Sequence, residues 1–229
     1  MDRYSVINTK LPREFILLQG TGCRWKQCTF CDYHEDVSSD PFVINREVIS
    51  HVTGQYGTLD VINSGSAIEL DTNTVCLLKQ TILEKHIHTV WFEMHYMYRH
   101  KLTEFAKIFE PATVKFRCGV ETFDPKLRSS WKKGISPYVT AEDIAKHFQG
   151  ICLLCCTKGE TKERILNDIE LAKSHFEYFS INLFCNNHTS VKRDKELVKW
   201  FEHEIYPQVK DDPHIEILLN NTDLGVGEI

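Results

Sequence analysis

The sequence predicts an α/β fold, a partial (β/α)6 barrel. Three observations support it. Short apolar runs of strand length alternate about six times with stretches of helical period, the pattern of a parallel sheet with right-handed crossovers. The 229 residues are slightly few for a full eightfold barrel. The residues with chemistry to offer sit where the apolar runs end, and parallel α/β sheets place their sites at the C-terminal ends of the strands.

In chain order, Glu14 to Gln19 reads as the first strand. A loop with three cysteines follows, and Ser38, Ser39 and Pro41 continue the irregular structure. Arg46 to His51 reads as helical, and Leu59 to Asn63 as a second strand ending in Ser64-Gly65-Ser66. Asp71 supplies an N-cap for a helix with Val75, Leu78 and Ile82 on one face. Thr89 to Glu93 is a third strand, and Leu102, Phe105, Ala106 and Phe109 form the next helical stripe. Thr113 to Glu121 is a fourth strand, and Thr140-Ala-Glu-Asp143 is a near capping box opening a short helix to Phe148. Ile151 to Cys156 is a fifth strand, and Thr161 starts a helix with Ile165, Ile169, Ala172 and Phe176 on one face. Tyr178 to Phe184 is a sixth strand, and a helix with Leu197, Phe201 and Ile205 follows. His214 to Leu219 is a last strand before a polar tail.

The composition is that of one globular domain spanning 1–229, with 42% hydrophobic and 26% charged residues; the segment from about 205 to 229 is expected to close the barrel. No apolar run reaches the length of a membrane span and no signal-peptide pattern opens the chain, so a cytoplasmic protein with no membrane partner is expected. The net charge of −5 favours a small molecule over a whole tRNA.

Cys23, Cys28 and Cys31 crowd into nine residues after the first strand. A structural zinc site usually takes four protein ligands as two pairs, and no partner pair is evident here. Three thiolates on one loop suit a [4Fe–4S] cluster with one iron left open. A zinc knuckle or a group of structural thiols is the alternative. Cys152, Cys155 and Cys156 read as small hydrophobes of a buried strand.

Cys23-(x4)-Cys28-(x2)-Cys31, with Phe30 before the last cysteine, resembles the cluster motif of the radical S-adenosylmethionine (SAM) enzymes, whose commonest spacing has one residue fewer between the first two cysteines. Asn63-Ser64-Gly65-Ser66 resembles that superfamily's glycine-rich motif without its carboxylate, and Gly119-Val-Glu121 with Lys133-Gly134 resembles its strand-four segment. The resemblance implies a TIM-like partial barrel of the radical SAM type. It implies Cys23, Cys28 and Cys31 as ligands of a [4Fe–4S] cluster, and SAM held by Phe30, Tyr33, Ser64, Gly65, Ser66, Glu93 and Glu121. It further implies an electron donor such as flavodoxin or ferredoxin, and reductive cleavage of SAM to a 5′-deoxyadenosyl radical that takes a hydrogen atom from the substrate.

Within the superfamily, the string Gly22-Cys-Arg-Trp-Lys-Gln-Cys-Thr-Phe-Cys-Asp-Tyr-His34 and the ending Asn220 to Gly227 resemble a family of small bacterial salvage lyases that free the base queuine from queuosine 5′-phosphate. A carboxylate can accept paired N–H groups of a 7-deazaguanine, and Asp223 is the candidate, with a turn-forming role as its alternative. A 5′-phosphate would take Arg117, Lys115 or His188, and Asn186 or Asn187 could bind sugar or cyclopentene hydroxyls. Another small radical SAM enzyme of deazapurine metabolism, such as 7-carboxy-7-deazaguanine synthase, or a non-catalytic zinc or nucleic-acid module stays open at this point.

Overall fold

A computed structural model describes residues 1–227; the last two residues of the segment expected to close the barrel lie outside the described residues. Eight strands form one continuous sheet in chain order. They are β1 (Tyr4–Ile7), β2 (Arg13–Leu18), β3 (Thr58–Asn63), β4 (Thr89–Glu93), β5 (Thr113–Glu121), β6 (Gly150–Cys155), β7 (Tyr178–Leu183) and β8 (Ile215–Leu218). β1 pairs antiparallel with β2, and every later neighbour is parallel. The parallel crossovers carry α1 (Phe42–Ser50), α2 (Thr72–Glu84), α3 (Leu102–Lys107), α4 (Pro125–Ser130), α5 (Ala141–Ala145), α6 (Lys162–His175), α7 (Lys195–Trp200) and α8 (Tyr206–Val209).

The α/β half-barrel expected from the alternation is present. β1 is the addition: it is four residues long and Val6 is exposed, so no apolar run marks it. The caps form as read. Asp71 accepts from the Thr74 N–H, Thr161 from the Arg164 N–H, and Thr140 with Asp143 closes a reciprocal box. The regular helix spans Ala141–Ala145, and a further turn, with the His147 and Phe148 N–H groups sharing the Ile144 carbonyl, carries the chain to Phe148.

Strand alternation divides the side chains into two layers. Ile16, Val61, Phe92, Val120, Leu153 and Ile181 face outward and are buried beneath the helices. The opposite face carries charge. Arg13 on β2 donates to Asp60 on β3 and to Glu216 on β8, each at 2.9 Å, and Arg117 on β5 donates to Asp60 at 2.6 Å. Tyr178 on β7 lies 5.7 Å beneath the Arg13 guanidinium and gives its hydroxyl to Glu216 at 2.6 Å. β2 and β8 share no strand hydrogen bonds, so the Arg13–Glu216 contact crosses the inside of a curled sheet. At the chain ends, Asp2 bridges Gly227 and the Ser5 hydroxyl reaches the Leu224 carbonyl.

Removing Asp60 leaves two buried guanidinium groups without their shared partner. Asp60→Ala is expected to lower unfolding stability by about 3–5 kcal/mol, measured by urea titration. A loss below about 1 kcal/mol, the range of an exposed pair, would show that the two arginines find other partners.

Candidate active site at the barrel mouth

The cysteine loop, residues 20–33, crosses the C-terminal ends of the strands and is docked at four points. The Trp25 indole N–H donates to the Lys132 carbonyl at 2.7 Å, and its ring stacks on His95 at 5.4 Å. Gly134 makes this possible: a Cβ there would lie 2.3 Å from the Trp25 ring, and φ is +75°. The Thr29 N–H donates to the Trp131 carbonyl at 3.0 Å, and Phe30 meets the Trp131 ring edge-on at 5.5 Å. The Asn187 amide donates to the Phe30 carbonyl at 2.8 Å. His188 lies between Asp32 and Glu35, 3.6 and 3.1 Å from their carboxylates.

Cys23, Cys28 and Cys31 are all free thiols and half-buried on this loop. Burial pushes the Cys28 thiol up to about 11, against a downward pull from Lys133, and pushes Cys31 up to about 12. Lys133 itself is buried and donates to Glu121 at 2.7 Å. Burial pulls the ammonium down, but the Glu121 carboxylate outweighs it and the net direction is up.

Glu121 ends β5 with φ of +67°, next to a register shift between Gly119 and Glu121. A glutamate gains nothing intrinsic from that conformation, so the lysine contact and the packing hold it there. A Cβ at Gly119 would lie 2.8 Å from Glu121 Oε1, 3.1 Å from Lys133 Nζ and 3.5 Å from Glu93 Oε1, so these three groups converge over one glycine. Burial pushes the Glu93 carboxyl up, with Arg117 pulling against it and Glu121 adding to it.

Ser64, Gly65 and Ser66 stand opposite the first cysteine. Ser64 Oγ accepts from the Gly20 N–H at 3.0 Å, and Ser66 Oγ accepts from the His95 N–H at 2.9 Å. A side chain at Gly65 would meet Glu69 at 2.5 Å and the Cys23 Cα at 3.3 Å. Glu69 was not among the candidates read from the sequence. Its carboxylate accepts from the Ser66 N–H at 3.2 Å, the Tyr98 hydroxyl at 2.6 Å and the Arg24 N–H at 3.3 Å. It places a carboxylate one turn downstream of the glycine-rich segment, engaged by these three donors. The readable signal was the Ser66-x-x-Glu69 capping-box spacing.

The other expected contacts fall less uniformly. Tyr33 is 61% exposed as a residue, yet burial and the neighbouring Cys31, Asp32, Glu93 and Cys185 push its hydroxyl up. Arg117 is buried, with one terminal guanidinium nitrogen on Asp60 and its Nε without a partner. Lys115 pairs with Glu177, and His188 with the cysteine loop. Both ends of the Asn187 amide are engaged, its oxygen by the Thr189 N–H at 3.0 Å and hydroxyl at 2.6 Å. Asp223 caps its own turn, one carboxylate oxygen accepting from the Leu219 and Asn220 N–H groups at 2.7 and 2.9 Å. Its other oxygen meets only the Asn220 amide, at 3.4 Å. Cys155 and Cys156 belong to the outer core, whereas the Cys152 thiol faces Glu93 at 3.8 Å.

No family model and no curated protein matches the chain. Among solved structures, the queuine lyase from Clostridium spiroforme bound to SAM and queuine superposes with a TM-score of 0.95, at 40% sequence identity, over 100% of both chains. The chain belongs to the queuine lyase family. The radical SAM resemblance is thereby borne out, and the ring-contracting synthase and the non-catalytic zinc module fall away as alternatives. Queuine lyases are enzymes, and the half-barrel with its docked cysteine loop is the scaffold that this chain shares with the clostridial protein.

His95 links the docking to pH. Burial, with Lys133 nearby, holds its imidazole down at about 4, so it is neutral where it donates to the Lys133 carbonyl at 2.7 Å. The unfolded chain takes up a proton near pH 6.5, so this contribution is fully present above pH 6.5 and is lost as pH falls through about 4. The stability difference between wild type and His95→Gln is expected to shrink by about 3 kcal/mol from pH 7 to pH 4, followed by urea titration at each pH. A difference that stays flat would show that His95 titrates freely in the folded protein.

Proposed function

We propose that this chain is a radical SAM lyase that releases queuine from queuosine 5′-phosphate. The full-length match to a queuine lyase bound to SAM and queuine carries the reading. The residues at the barrel mouth support it.

The donor set fits a [4Fe–4S] cluster. Among the described residues no three His, Cys, Asp or Glu side chains converge as one metal ion would require. A cubane offers each thiolate its own iron, so Cys23, Cys28 and Cys31 on one loop suit it without converging on a point. Coordination also ionises thiols that burial otherwise keeps protonated, and the Lys133 ammonium, which pulls Cys28 and Cys31 down, favours the thiolate. When bound, the reduced cluster and SAM supply the abstraction of a hydrogen atom from the ribose, after which the glycosidic bond fragments and the base leaves.

The protein's own share is placement. Gly65 lets Glu69 and the Cys23 backbone pack close beside it, and the Ser64 and Ser66 hydroxyls, already accepting from the backbone, retain protons to donate. Glu93 and Glu121 present carboxylates to ribose hydroxyls and an amine, Phe30 offers a ring face for adenine, and the Tyr33 hydroxyl lies near Glu93 and Cys31. The Trp25, Trp131 and His95 packing keeps water from the cysteine loop. The outward oxygen of Asp223 is the acceptor for the N–H groups of the base. The electron donor is a flavodoxin or ferredoxin. The enzyme works in the cytoplasm on a free nucleotide and not on whole tRNA, as the net charge of −5 favours. No helix among the described residues is long and apolar enough to cross a membrane. One domain spanning 1–229 carries the activity.

Anaerobically reconstituted protein given SAM, a reductant and queuosine 5′-phosphate is expected to yield queuine and 5′-deoxyadenosine together, read by mass spectrometry. Cys28→Ala is expected to yield neither. Wild-type 5′-deoxyadenosine without queuine would discard the substrate, and Cys28→Ala protein that still makes 5′-deoxyadenosine at the wild-type rate would discard the cluster ligands.

A further inference from the structure

The inner face of the sheet is ion-paired at its floor, where only the Arg117 Nε lacks a partner, and is more open above it. At the floor every charge is paired among Arg13, Asp60, Arg117 and Glu216. Above it, Lys133 closes on Glu121 and the Cys152 thiol approaches Glu93.

Asn182 on β7 carries an unpartnered acceptor on this face. Its Oδ1 is sealed from solvent without a hydrogen-bond partner, and among the described residues neither end of its carboxamide is engaged. Phe179, Ile181 and Leu183 fill the outer face of β7, so alternation turns Asn182 inward with Tyr178 and Ser180. Its register neighbours are Leu154 on β6 and Leu218 on β8, and neither side chain has a donor to give. One step below on the same face, Ser180 is in register with Cys152, whose thiol faces Glu93. A buried acceptor left unmade is costly, and a partner from outside the chain removes that cost.

We propose that Asn182 is a substrate-recognising residue, its carboxamide oxygen accepting an N–H or O–H of the nucleotide inside the barrel. Asn187, at the exit of the same strand, is a positioning residue for the cysteine loop and not a ligand contact. This inference rests on the queuine-releasing activity proposed above. A leucine of similar shape at position 182 would match Leu154 and Leu218 and remove the orphaned oxygen. The fold therefore gains, or loses nothing, while recognition suffers.

The test uses reconstituted holoenzyme. Asn182→Leu is expected to melt at or above the wild-type temperature and to bind SAM within about twofold of wild type. Its KM for queuosine 5′-phosphate is expected to rise roughly ten- to hundredfold. Asn182→Asp, which keeps an acceptor, is expected to recover part of that loss. Calorimetric titration with queuine alone locates the contact: weaker queuine binding in Asn182→Leu assigns the bond to the base, and unchanged queuine binding with a raised KM assigns it to the sugar. An unchanged KM overturns the inference. So does a lower melting temperature with weakened SAM binding, which would make Asn182 a structural residue or a SAM contact. Wild-type protein that releases no queuine defeats the underlying activity instead, and is distinguished by that control.

Discussion

Four buried charges on four different strands set the shape of this molecule. Arg13, Asp60, Arg117 and Glu216 come from β2, β3, β5 and β8; Arg13 meets Asp60 on the adjacent strand, whereas its contact with Glu216 and the Arg117–Asp60 contact reach between strands that are not neighbours. A buried ion without its partner is strongly unfavourable. A flatter sheet with the same strand order would separate Arg13 from Glu216 and leave each with one charged or hydroxyl partner fewer. The network therefore couples pairing between neighbouring strands to closure between distant ones. It also fixes the consequence that matters for chemistry: the C-terminal ends of the parallel strands share one mouth.

What covers that mouth depends on a second constraint, a steric one. Trp25 is one of the anchors of the cysteine loop, beside Thr29 and Phe30. The indole fits only because Gly134 has no side chain and because neutral His95 lies flat beneath it. The same short segment, residues 131–134, gives carbonyls to Thr29, Trp25 and His95 and the ammonium of Lys133 to Glu121. One turn after α4 thus positions the three thiols and the carboxylate at the end of β5 with respect to each other. The left-handed backbone at Glu121 is the local strain that this arrangement sustains.

The polar interior is graded along the barrel axis. Its floor is ion-paired, with only the Arg117 Nε unpartnered, which suits a largely structural role. Its upper layer, with the raised Glu93 carboxyl and the unpaired Asn182 oxygen, is incomplete. Groups of this kind are tolerated where a ligand completes them, and they lie on the strand ends where α/β sheets bind theirs.

The sequence by itself determined the elements and the chemistry that is local in the chain. Alternating apolar runs marked the seven parallel strands, and single residues such as Asp71, Thr140 and Thr161 marked helix starts, because capping and periodicity act within a turn or two. The cysteine triplet, the Ser64-Gly65-Ser66 segment, Glu93 and Glu121 were legible for the same reason. β1 was not, since four half-exposed residues carry no signal and only pairing with β2 defines them. Glu69 was missed although its spacing from Ser66 was visible, because its approach to Arg24 and Tyr98 spans distant segments. Only the tertiary structure decided which polar residues are already spent. The asparagines from Asn182 to Asn187 at the end of the sixth strand looked alike in the chain, yet Asn187 is engaged at both ends of its amide while the Asn182 oxygen has no partner. A hydrogen bond is exhausted or free according to what stands within about 3 Å of it, and that is settled by the curl of the sheet, which no stretch of sequence contains.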